Sequence, residues 1–101
     1  MASFTVRVNL HNVNEHDSET HELLHREMAE LGFIRTIKTR SGEEYQLPPG
    51  EFNFVGKKSK KAVLGLAKSA AHESGKEYGI LVTQSSNRRS WHGLTQAENS
   101  K

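Results

Sequence analysis

Two stretches of helical periodicity, each set between stretches that alternate residue by residue, constrain this chain more than any other feature. In the first, Leu24, Met28 and Leu31 recur at helical spacing behind Asp17 or Ser18, either of which can cap a helix start, and Gly32 supplies a left-handed stop. In the second, Ser59 opens a run whose apolar stripe is Val63, Leu66, Ala67 and Ala70, and Gly75 closes it. Around them Phe4, Val6, Val8 and Leu10 alternate with Thr5, Arg7, Asn9 and His11. Phe33 to Lys38 and Glu44 to Leu47 alternate on either side of Ser41-Gly42-Glu43, and Tyr78, Ile80 and Val82 alternate near the end. A helix with one apolar stripe and a strand with one apolar face must cover each other, so the helices lie on a sheet.

The order β-α-β-β-α-β, with the inner strands joined by a tight turn, is the split βαβ arrangement. The expected fold is therefore α+β: a ferredoxin-like βαββαβ sandwich, one sheet with two helices on one face. A short C-terminal strand around Trp91 and Leu94 follows the turn at Ser85 to Arg89 and folds back beside Ile80 and Val82. Pro48-Pro49-Gly50 interrupts regular pairing, and the extended Glu51 to Val55 with Phe52 and Phe54 on one side reads as an irregular continuation over the core edge.

At 101 residues the chain is long enough for one core and too short for two, which predicts a single domain over 1–94 and a disordered tail over 95–101. An apolar fraction of 34% predicts a thin core, one sheet covered on one face only. The absence of cysteine removes disulfides, thiolate metal sites and cysteine nucleophiles, and fits a cytoplasmic address. The alternating start, Met1-Ala2-Ser3-Phe4-Thr5-Val6-Arg7, predicts neither a signal peptide nor a membrane span.

Net charge is only +2, yet it is segregated: six acids and one base lie between Asn14 and Gly32, and five lysines and no acid between Lys57 and Lys68. On the expected open sheet face stand Thr5, Arg7, Asn9, His11, Thr36, Lys38, Gln46, Leu81 and Thr83. No aromatic side chain is among them to stack a base, so the face suits phosphate contact by Arg7, Arg35, Lys38 and Arg40, or pairing with a second copy in a dimer.

His21-Glu22-Leu23-Leu24-His25 is a literal HExxH, the spacing that sets two imidazoles one turn apart on a zinc-protease helix. Zinc requires a third protein ligand, and Arg26-Glu27 and Ala29-Glu30-Leu31 stand where the extended motif would supply it; His72 and Glu73 are the only obvious distant candidates. Because Leu24 and Met28 must face the core, His21 and His25 read as a solvated surface pair, and no metal or other cofactor is predicted. His11, ending the first strand near Asn9 and Asn12, is the candidate acid or base for chemistry that activates an RNA 2′-hydroxyl. Arg88-Arg89 with Trp91-His92 form a basic, aromatic cluster suited to nucleic acid, and the lysine run at 57–61 lies where helix N–H groups and ammonium groups can hold a phosphate.

Taken together, Thr5-Val6-Arg7-Val8 with Leu10-His11, Leu24 to Gly32 followed by Phe33-Ile34-Arg35-Thr36-Ile37, Tyr45-Gln46-Leu47-Pro48, and Gly79-Ile80-Leu81-Val82-Thr83 with Trp91-His92-Gly93-Leu94 resemble small bacterial proteins of the GhoS type. The resemblance runs from about Phe4 to Leu94. That family is similar in fold to small CRISPR-associated ferredoxin-like nucleases, and its namesake is the antitoxin of a type V toxin–antitoxin pair that silences the toxin by cutting its messenger RNA. Where the CRISPR-associated relatives carry a metal-binding aspartate, this chain has Asn9, Leu10, His11 and Asn12. The resemblance thus implies the fold and an RNA-directed role; joined to the residue reading above, the expectation is a regulator of the antitoxin kind acting as a metal-independent endoribonuclease, with Arg7, Arg35, Lys38, Arg40, Arg88 and Arg89 on the RNA and His11 as the candidate catalytic group. The competing expectation is a non-enzymatic homodimeric interaction module using the same sheet face or the last strand edge.

Overall fold

The computed structural model describes residues 2–14, 16–39, 41–85 and 89–97. Its elements are β1 (Ala2–Leu10), α1 (Ser18–Glu30), β2 (Thr36–Lys38), β3 (Glu44–Gln46), β4 (Glu51–Gly56), α2 (Lys60–His72) and β5 (Tyr78–Ser85). Both helices start where a side chain replaces a missing backbone partner: Asp17 accepts from the Thr20 N–H at 3.2 Å and Ser59 from that of Ala62 at 3.1 Å. Gly32, at φ +98°, turns the chain out of α1 in a conformation that costs other residues.

β1 is the centre of a three-stranded sheet ordered β4-β1-β5, antiparallel to both neighbours. Its alternation fixes the two faces. Phe4, Val6 and Val8 are buried with Phe52 and Phe54 of β4, Leu24 and Met28 of α1, and Val63, Ala67, Ala70 and Ala71 of α2. The alanines keep α2 close to the strands, and Phe33 fills the end of the core with its ring 5.0 Å from that of Phe54. Arg7 and Asn9 point from the opposite face, where Leu81 lies across from Arg7 and is 65% exposed. Among the described residues, no helix is long and apolar enough to cross a membrane.

The molecule is thus a small α+β structure with two helices and a mostly antiparallel set of strands, and it departs from the sequence expectation in three places. The stretch from Glu51, expected as an irregular continuation, is a full strand beside β1 with Phe52, Asn53 and Phe54 buried. Pro48-Pro49-Gly50 is the turn that admits this strand: the Val8 N–H donates to the Gly50 carbonyl at 2.8 Å, and a Cβ on Gly50 would sit 3.0 Å from the Val8 oxygen. β2 and β3 form the expected hairpin, but as a separate two-stranded sheet. It joins the main sheet through one bridge, Ile34 to Asn53, with N–H to carbonyl distances of 2.9 and 2.7 Å.

The third departure is at the C-terminal end. Trp91 does not return beside Ile80 and Val82; the segment crosses to β3, where its ring lies 5.8 Å from that of Tyr45. Thr95 and Ala97, expected in the tail, belong to the ladder: Gln46 N–H donates to the Thr95 carbonyl and Ala97 N–H to that of Glu44, both at 2.8 Å. The open edge of β3 had donors and acceptors to satisfy, and an aromatic partner for Trp91. On the way Arg89 donates to the Thr5 hydroxyl at 3.0 Å, so residues 89–97 run from β1 to the hairpin across the face away from the helices.

Candidate functional site

Because Leu24 and Met28 are drawn into the core, His21 and His25, one turn apart on α1, fall on the flank of that stripe. That flank faces the end of β1 and the Pro49-Gly50 turn. Between them is an open cleft of about 540 Å³ lined by Arg7 and Asn9 of β1, by His21, Glu22 and His25 of α1, and by Arg35. The volume is within the range of small-molecule and nucleotide sites.

Phe52 is fully buried and contacts two of the lining residues. The His25 ring meets it edge-on at 5.6 Å and 77°, and the Arg35 guanidinium lies over its face 5.6 Å from the centroid. Burial, first, and then the neighbouring Arg35 cation push the His25 pKa below its ordinary 6.5, which leaves a neutral imidazole at neutral pH. Arg35 donates through Nη1 to the carbonyls of Pro48 and Glu51 and through Nη2 to that of Leu47. It pins the turn ahead of β4 and lines the cleft. Burial lowers its pKa and Glu51 opposes the shift, and a guanidinium stays charged throughout. At the mouth Arg7 pairs with Glu51 at 3.3 Å; its side chain is 60% exposed, so the pair is screened and Arg7 is available to an anion.

Arg7 and Arg35 both line the cleft, and none of the other candidates among the described residues does. Lys38 is exposed at the end of β2 and His11 at the end of β1; neither lines the cleft. The His11 backbone N–H donates to the Glu77 carbonyl at 2.7 Å, and its ring nitrogen lies over Gly79 on the β5 side. Arg89 is half-buried against Thr5, and burial lowers its pKa. Arg40 and Arg88 lie outside the described residues. The lysines at 57–61 are exposed and do not line the cleft.

The sequence reading placed His21 and His25 on the solvated surface and gave them no site. Both are half-buried, and His25 lies in T-shaped contact with Phe52 of a core strand. Their spacing was legible, and their setting depended on the strand that Pro48-Pro49-Gly50 concealed. Among the described residues no group of three or more His, Asp or Glu side chains is placed to hold a metal ion, and His72 and Glu73 do not line the cleft.

A second polar locus lies on the strand face away from the helices. Asn53 is only 5% exposed, and its Oδ1 has no hydrogen-bond partner among the described residues. Asn53 pairs in register with Thr5, the residue that Arg89 reaches. Comparison of the chain with family models, with curated proteins and with solved structures finds no match in any of the three.

Proposed function

We propose that this protein is a small RNA-directed regulator of the antitoxin kind, a metal-independent endoribonuclease on a ferredoxin-like frame. The frame is supported by the strand order. Ile34 bridges the edge of β4 away from β1, so β1 and the Ile34 segment flank β4 with α1 between them in sequence. In the same way β4 and β5 flank β1 with α2 between them.

The observation that carries an RNA-directed role is the convergence of Arg7, Arg35 and two imidazoles on one open cleft beside a polar strand face. Guanidinium groups hold phosphates without reading sequence, and a half-buried neutral imidazole beside a phosphate is a proton acceptor. The test is fluorescence anisotropy of a labelled single-stranded RNA at rising salt. Affinity should fall linearly on a double logarithmic plot, and Arg7→Ala should weaken binding about fivefold or more. RNA that does not bind even at low salt would overturn this reading.

One observation favours a second reading, a non-enzymatic homodimer. Among the described residues β5 pairs only with β1, so the uncharged edge Tyr78–Ser85 is free to pair with its copy. Sedimentation showing a tight dimer, together with no RNA binding, would favour it.

A further inference from the structure

We propose that His21 and His25 are an acid–base pair that cuts single-stranded RNA by intramolecular transesterification, a role that rests on the RNA-directed reading above and assigns its chemistry to residues other than His11. Side chains four apart on a helix have Cβ atoms roughly 6 Å apart, a separation at which one imidazole can reach a 2′-oxygen and the other the leaving 5′-oxygen of the same phosphate. Both His21 and His25 line the cleft, whose volume of about 540 Å³ is in the range of small-ligand sites.

Their surroundings divide the roles. His25 packs in T-shaped contact with Phe52 from β4 and lies beside Arg35 from the segment before β2, with His21 and Glu22 its charged or titratable neighbours on α1. Its imidazole is neutral and takes the proton of the 2′-hydroxyl. The 2′-oxygen forms a bond to phosphorus, the bond from phosphorus to the 5′-oxygen breaks, and the leaving oxygen takes a proton from His21. The products are a 2′,3′-cyclic phosphate and a 5′-hydroxyl. The two histidines end with exchanged protonation states, which solvent restores. Arg7, which lines the same cleft and is largely exposed, is available to the charge that grows on the phosphate oxygens.

The experiment incubates the full chain with a short labelled single-stranded RNA of mixed sequence in excess chelator, beside a copy carrying 2′-deoxy sugars, and reads fragment ends by mass spectrometry and binding by anisotropy. The expected result is cleavage leaving 2′,3′-cyclic phosphates, an intact deoxy copy, and a rate about 100-fold or more lower in His21→Gln and in His25→Gln. His21→Gln, on the half-exposed outer turn, carries the assignment if His25→Gln does not fold. RNA that binds but is not cut, cutting that the chelator abolishes, or an undiminished rate in a folded His21→Gln would overturn the pair. Absence of binding by the unaltered protein would overturn the RNA-directed reading itself.

Discussion

The imidazole of His25 meets the ring of Phe52 edge-on, their centroids 5.6 Å apart, and this contact ties the flank of α1 to a buried strand. It has a consequence for stability as a function of pH. The folded-state pKa of His25 lies below its ordinary 6.5, so the unfolded chain binds a proton more readily than the folded one. Stability due to this group is fully present above pH 6.5 and declines as pH falls from there through the folded-state pKa, below which the loss is complete. Urea unfolding at several pH values should show the decline, and His25→Gln should flatten it. An identical slope in both proteins would dissociate the effect from His25.

Gly50 is required twice over, by its φ of +83° and by the Val8 carbonyl 3.0 Å from where a Cβ would stand. Gly42 has a similar φ of +92° with no atom within 4 Å of that position. Gly50→Ala should therefore cost about 2–4 kcal/mol and Gly42→Ala only about 1 kcal/mol, since the second adds backbone strain alone. Equal midpoint shifts in denaturant would contradict the close approach of the turn to β1.

The buried Oδ1 of Asn53 lacks a partner among the described residues, and a desolvated unpaired carbonyl is costly. Asn53→Val keeps the backbone bridge to Ile34 and adds a branched side chain suited to a strand. Its unfolding midpoint should rise, by about 1 kcal/mol in free energy. A fall of that size would mean that the amide is bonded in solution.

Removal of residues 95–101 should destabilise the protein by about 1–2 kcal/mol, because two ladder hydrogen bonds to β3 go with it. Trp91 emission gives a second measure. Tyr45→Ala should shift the folded protein's emission toward the red, since the indole loses its aromatic neighbour. A truncated chain as stable as the intact one would mean that the pairing of Thr95 and Ala97 contributes nothing.

Much of the frame could be read from periodicity, because Phe4, Val6 and Val8 or Leu24 and Met28 reveal their faces through their spacing alone. β4 was obscured by its entrance: two prolines argue against a sheet interior unless a glycine carbonyl resumes the pairing, as that of Gly50 does with Val8. The path of residues 89–97 has no alternation to betray it, and its partners, Thr5 and Tyr45, are remote in sequence. At the cleft, Arg7 and Arg35 were legible as cations. The burial of His25 was not, since it follows from the placement of Phe52.

The central position of β1 also bears on how the chain assembles. Its first residues pair with the far end of β4, Ala2 with Gly56, and with the far end of β5, Ser3 with Ser85. During synthesis β1 leaves the ribosome long before either partner exists, and closing such large loops costs entropy before any contact repays it. α1 and the β2–β3 hairpin have local partners and can form meanwhile. The sheet itself must wait for the last strand, so the apolar face of β1 spends that interval without its cover, open to chaperones and to other nascent chains.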